Sequence, residues 1–353
     1  MADTQNYKNQ VFIPTVAEFR GDIARSWEIQ GPLVEGGYCP GFMLLVRKDD
    51  EGKPRVFDGD HIQRMYEGVI PYSDRYGDAP IVTMLSNLPI GHIDFLHNNQ
   101  LATDHVVFGI ELARGLPIGG RKILTFHTNT LVTPSEFGAR TRDEWCDVFD
   151  RELMPSFREI GKAATANNVD LLVESVPVPE FEDISRSDSG KVYRGVHWSQ
   201  LRNPFYLYGH NYVRTQLRKA GLEMCLDICH NYTIIQAAAD RDRRLLFAED
   251  ISYINDGCWD VLADVSSVGP LKLIHLNDGK GKYTHEGGVY EEGIALGEGD
   301  IPDMPRIVRQ INNGRIPFVL EVNVGKTEGK DDFANRPWVV RSIEYLLEME
   351  KSA

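Results

Sequence analysis

Glu174, Asp227, His275 and Glu321 are side chains of metal-binding type, and each closes a short apolar run. Leu171-Leu172-Val173 precedes Glu174 and Met224-Cys225-Leu226 precedes Asp227. Leu271-Lys272-Leu273-Ile274 precedes His275, and Pro317-Phe318-Val319-Leu320 precedes Glu321. Three carboxylates and one imidazole make a mixed shell that suits a divalent cation, Mn²⁺ by preference, with Mg²⁺ or Zn²⁺ as alternatives. Other polar groups gather beside these four. His230 stands in Asp-Ile-Cys-His just past Asp227, and Asn277 and Asp278 follow His275. His127 and Asn129 end an earlier apolar run, Ile123 to Phe126. His127 is a catalytic base or a histidine hydrogen-bonded under a loop, two readings that stay open. His285 sits in a glycine-containing loop able to close over a substrate, though a solvated loop histidine is the plainer reading.

Each run has strand length, and the stretches between are long enough for helices. Repeated strand–helix units make a parallel sheet. Closed on itself, that sheet is a (β/α)8 barrel whose strand ends share the face where barrel enzymes keep their chemistry. The eight strands are Val11–Ile13, Phe42–Val46, Ile81–Leu85, Ile123–Phe126 and the four ending on Glu174, Asp227, His275 and Glu321. Helices are expected over 61–76, 102–114, 141–167 and 337–351, with another starting near Asp300 after Gly297-Glu-Gly-Asp-Ile. No repeat or linker divides the chain, so one domain over 1–353 is expected, with an extended N-terminal segment. Residues 177–211 exceed a minimal barrel and are dense in aromatics, among them Trp198, placed here as a substrate contact. A loop that long is usually functional; the alternative is a helix over about 204–219 with its aromatics packed inward.

With 52 acidic and 38 basic residues the net charge is −14, which argues against a nucleic-acid partner, since phosphate binding needs concentrated Lys and Arg. The cluster Arg241, Arg243 and Arg244 reads as a solvated helix face. No apolar run approaches the ~18 residues that span a membrane, and the N-terminal residues lack a signal peptide's apolar segment; a cytoplasmic location is expected. Five scattered cysteines imply no disulfide framework. Cys225 and Cys229, which flank Asp227, read as buried thiols rather than ligands.

The set Glu174, Asp-x-x-His (Asp227, His230), His-x-Asn-Asp (275–278), Gly-Glu-Gly-Asp-Ile (297–301) and Leu-Glu (320–321) resembles the xylose-isomerase-like TIM barrel superfamily of sugar-phosphate isomerases and epimerases. The resemblance implies that Glu174, Asp227, His275 and Glu321 hold one divalent metal. It also implies that Glu174 and Glu321 move a proton beside a sugar carbonyl and that His230 contacts substrate. Asn129, Asn277 and His285, which follow strand ends or stand in a loop beyond one, are further candidate substrate contacts by position alone.

Ligand spacings of 53, 48 and 46 residues and the aromatic segment are long for a plain epimerase. In those respects the chain resembles the catalytic subunit of bacterial C-glycoside deglycosidases. That resemblance implies a lyase acting on a 3-oxo-C-glycoside to release an aromatic aglycone, with a small β-sandwich partner subunit in an oligomer. The leading expectation is this lyase and the alternative is a keto-sugar isomerase or epimerase; both start with proton loss beside a carbonyl. An endonuclease would bring more ligands and a basic groove, and a non-catalytic barrel would not keep the ligand set intact.

Overall fold

The computed structural model describes residues 7–15, 20–45, 63, 66–71, 74, 81–84, 94–128, 130–176, 192–193, 196–197, 200–205, 211–267, 273–281, 291–322 and 337–351. Eight parallel strands close into a barrel. They are β1 (Gln10–Thr15), β2 (Cys39–Leu45), β3 (Ile81–Met84), β4 (Lys122–His127), β5 (Val169–Glu174), β6 (Glu223–Asp227), β7 (Leu273–Leu276) and β8 (Phe318–Leu320). Neighbours in sequence are neighbours in the sheet, and β1 pairs with β8 to close the ring. The barrel reading of the sequence holds.

Strand parity explains where the core sits, because alternate side chains point to opposite faces. Phe12, Met43, Ile123, Leu172, Cys225, Leu273 and Val319 form one cluster inside the barrel. Four of them stand two positions before Glu174, Asp227, His275 and Glu321. Each proposed ligand therefore rises directly above an apolar plug supplied by its own strand. Residues of opposite parity, Leu124, Phe126, Leu171 and Val173 on one side and Leu226, Ile274, Phe318 and Leu320 on the other, pack outward under helices. Burial of each such side chain contributes ~1.5–3 kcal/mol.

Several expected elements change on inspection. The helix over 141–167 is two helices, Arg142–Val148 and Met154–Ala166, joined by a π turn over Phe149–Leu153. Pro155 lacks the N–H that an unbroken α ladder needs, and its ring crowds the carbonyl four residues back. Helix Met304–Asn313 starts after Asp303 rather than near Asp300. The arginine cluster lies past the end of helix Ile228–Ala239, with Arg241 in the left-handed region at φ 52°, so it is no helix face. Of the helix expected over about 204–219, Asn211–Lys219 is helical, Pro204 and Phe205 form a turn, and 206–210 lie outside the described residues. Val46, the end of the third strand near Asn87 and most of the helix over 61–76 fall outside the described residues. Among the described residues no helix is long and apolar enough to cross a membrane.

Asp300 instead ties a turn to a hairpin that follows β7. This antiparallel pair, Asp278–Lys280 with Glu291–Ile294, stands at the mouth. Asp300 accepts from the Gly281 amide at 2.8 Å, and its own amide donates to the Gly279 carbonyl at 2.7 Å. Buried Asp278 accepts from the amides of Gly279, Gly297, Gly299 and Ile301 at 2.9–3.3 Å. A Cβ on Gly299 would lie 2.2 Å from Asp278 Oδ1, so the turn needs glycine there. Asp278→Ala strands those donors and should destabilise the protein by about 1–3 kcal/mol or more. Urea unfolding checks this, and an unchanged midpoint would mean the amides find other partners.

Candidate metal centre at the barrel mouth

Strand tilt sets the depth of each group. His127 and Glu174 are register partners across β4 and β5, and Asp227 and His275 are partners two residues higher across β6 and β7. Glu321 follows the last residue of β8 and is the outermost, with its side chain 25% exposed against 0% for Glu174 and His275. The ligand atoms of Glu174, Asp227, His275 and Glu321 lie within 4.8 Å of one another. His275 Nδ1 stands 3.0 Å from Glu174 Oε1, 2.6 Å from Glu321 Oε2 and 3.9 Å from Asp227 Oδ2. The structure thus brings together all four residues singled out as ligands.

Three carboxylates at one largely dry point repel one another and call for a cation. Burial first, with the charges of Glu321 and Glu174 behind it, pushes the Asp227 carboxyl up to about 7. Burial alone would lower His275, but the Cys225 sulfur and the Glu174 and Glu321 carboxylates outweigh it and hold the imidazole well above its ordinary range. Glu174 goes the other way. Burial raises it, yet the charges of His127 and His275 and the hydrogen bonds from both keep it well below the usual carboxylate range. Its second oxygen, Oε2, is buried and finds no hydrogen-bond partner among the described residues. An orphaned carboxylate oxygen facing an oxygen and imidazole donor set fits a hard or borderline divalent ion. Asn277 Nδ2 donates to Asp227 Oδ2 at 2.9 Å, so Asn277 orients a candidate ligand.

His127, Glu174 and His230 form a second close group. His230 Nδ1 is 2.6 Å from the Ser175 carbonyl, which makes that nitrogen a proton donor and removes its lone pair from any ion. The group is the hydrogen-bonding flank of the site instead. His127 Nε2 lies 3.1 Å from Glu174 Oε1, and the His127 and His230 rings meet edge to face at 5.8 Å between centroids. Helix Ile228–Ala239 presents His230 because Asp227 caps it, accepting from the His230 amide at 2.8 Å.

Asn129, Trp198 and His285 lie outside the described residues. Cys225 and Cys229 are buried, as expected, and burial pushes the Cys225 thiol up to about 12. Sequence reasoning missed Ser175, whose hydroxyl accepts from the Asp227 amide at 2.9 Å, and Glu292, whose Oε2 is 3.6 Å from His230 Nε2. A polar residue straight after Glu174 was a signal for the first. Nothing local marked the second.

No protein-family model matches the chain, and no curated protein does. Solved structures do resemble it. D-Psicose 3-epimerase from Clostridium cellulolyticum H10 with D-tagatose gives a TM-score of 0.54 at 11% identity, covering 98% of each chain. An L-ribulose 3-epimerase gives 0.52 at 13% identity, covering 97% of this chain and 95% of that one. A D-tagatose 3-epimerase-like protein gives 0.51 at 14%, covering 97% and 99%. At such identities the likeness is one of fold, and it spans nearly the whole chain.

Proposed function

We propose that the chain is a divalent-metal-dependent keto-sugar isomerase or epimerase, the second of the two functions expected from its sequence. The observation that carries this reading is the approach of Glu174 and Glu321 to one nitrogen of His275, at 3.0 and 2.6 Å. Two carboxylates at one point can remove a proton from a carbon and return one. The fold shared with proteins described as a D-psicose and an L-ribulose 3-epimerase supports the reading. The aromatic segment behind the lyase expectation, Trp198 included, falls mostly outside the described residues, and no observation favours aglycone release or a β-sandwich partner.

Glu174, Asp227, His275 and Glu321 would hold the ion, which when bound supplies Lewis-acid stabilisation of charge developing on a carbonyl oxygen. The chain's own groups do the rest. Glu174, kept ionised by His127 and His275, accepts the proton from the carbon beside the carbonyl. Glu321, nearer solvent, would take up a proton from water and return it to that carbon, while Glu174 gives its own proton to solvent. His230, held by the Ser175 carbonyl, stands beside Glu174 with its Nδ1 3.9 Å from Glu174 Oε1 and lines the substrate's side of the site. The apolar plug below closes the floor to water.

The test is turnover of free ketohexoses in D₂O with Mn²⁺, Mg²⁺ or Zn²⁺ supplied in turn. The expected result is an isomerised or epimerised sugar carrying solvent deuterium at the carbon next to the carbonyl. Release of an aromatic aglycone from a 3-oxo-C-glucoside, with ketohexoses untouched, would reinstate the lyase.

A further inference from the structure

Glu292 belongs to the hairpin at the mouth, outside every motif that marked the site. Its Oε2 stands 3.6 Å from His230 Nε2, and its side chain is 43% exposed. That separation is slightly beyond a hydrogen bond, of the kind that tightens when substrate fills a site. The other ring nitrogen of His230 is already fixed at 2.6 Å from the Ser175 carbonyl. The ring is therefore held from below by backbone and from the solvent side by a carboxylate.

The hairpin is built to keep that carboxylate in place. The residue opposite Glu292 in the ladder is Gly279, which has no side chain to compete for the space, and a register shift falls between Asp278 and Gly279. Gly293, at φ +71°, takes a backbone turn that a side chain would strain. Gln236, on the helix that carries His230, donates to the Gly281 carbonyl at 3.1 Å. Asp278 and Asp300 fasten the other side of the hairpin to the turn at 297–301. Glu292 and His230 thus sit on elements tied to each other by contacts independent of their own.

We propose that Glu292 is a positioning residue for the sugar reaction, fixing the rotation of the His230 ring and presenting its half-exposed carboxylate to a hydroxyl of the bound sugar. A carboxylate there accepts from a hydroxyl and repels a phosphate, so the substrate is a free ketose at that end. This inference rests on the isomerase or epimerase reading of the same site.

The test uses the full chain loaded with Mg²⁺, with Glu292→Ala, Glu292→Gln and, as control, Glu291→Ala at the exposed neighbouring position. Three quantities are read: metal content, KM and kcat for free ketohexoses and their phosphates, and the ring NMR signals of His230, assigned by their loss in His230→Gln. Glu292→Ala is expected to keep its metal, raise KM for the free ketose at least tenfold with a smaller fall in kcat, and shift the His230 ring signals. Glu292→Gln should narrow discrimination against the phosphate, and the control should match wild type. Ring signals unmoved in Glu292→Ala, or KM within twofold of wild type, would overturn the inference. Absence of ketose turnover in the wild type would strike the underlying function instead, and the ring signals separate the two failures.

Discussion

Glu174→Gln is expected to leave a folded protein that no longer retains a divalent ion and turns over ketose at least ~10⁴-fold more slowly, the upper end of what a positioned general base supplies. The amide keeps the size of the side chain and removes its charge. Two histidines then lose the carboxylate they share, His127 at 3.1 Å and His275 at 3.0 Å. On the proposed reading the same carboxylate is both proton acceptor and ligand, so binding and chemistry should fail together. Metal analysis after gel filtration and initial rates check both, and full ion occupancy in the variant would refute the assignment.

Linkage gives the same centre a pH signature. Asp227, raised to about 7 by burial and neighbouring carboxylates, is an acid whose folded value exceeds its ordinary one. Its contribution to stability is present below about 4 and is lost as pH rises through 7. His230 is lowered by burial, but the Asp227 charge and the nearby Glu292 carboxylate raise it to about 10. Its contribution is present below about 6.5 and is lost as pH rises toward 10. Both run the same way, and the opposite contribution of the depressed Glu174 is confined to more acid pH. Metal-free protein should therefore lose stability between pH 6 and 8, and an ion that displaces those protons should raise Tm more at pH 8 than at pH 6. Thermal melts with and without Mn²⁺ at the two pH values decide it; an equal or smaller gain at pH 8 would contradict the electrostatic account.

Asp264→Ala is expected to destabilise the fold by about 3–5 kcal/mol through a group far from any motif, because it leaves a buried charge without its partner. Arg214 Nη2 lies 2.5 Å from Asp264 Oδ1 with 3% and 0% side-chain exposure. Asn231 Nδ2 donates to Asp264 Oδ2 at 2.7 Å. The three residues come from helices Asn211–Lys219, Val261–Ser267 and Ile228–Ala239, so one carboxylate joins the outer layer to the helix that carries His230. Replacing the pair with apolar residues, as in Arg214→Met with Asp264→Leu, should cost much less than Asp264→Ala alone. Chemical unfolding of the three proteins tests this, and a single variant within about 1 kcal/mol of wild type would show that water reaches Arg214.

Much of the barrel could be read from the chain because period-2 alternation is local. A ligand two residues beyond an apolar residue, as in Leu172 and Glu174 or Cys225 and Asp227, declares its face without any partner strand. Four such strand ends in order imply a shared mouth once the sheet closes, and the convergence of Glu174, Asp227, His275 and Glu321 follows. Helix interruptions were less visible. Pro155 stands inside the expected helix over 141–167, but the π turn at 149–153 emerges only from packing.

Tertiary structure alone decided what surrounds the ligands. Tilt set the depth order that buries Glu174 and leaves Glu321 partly open. A backbone carbonyl, that of Ser175, fixed Nδ1 of His230 as a proton donor, and backbone groups have no sequence signature. Glu292 reached His230 from 62 positions away through a hairpin whose register shift and glycines place it. Residue types and parity determine which groups stand at the mouth, since those are properties of a single strand. How the groups touch, which are charged and what holds them still are properties of several elements packed together, and they exist only once the chain has folded.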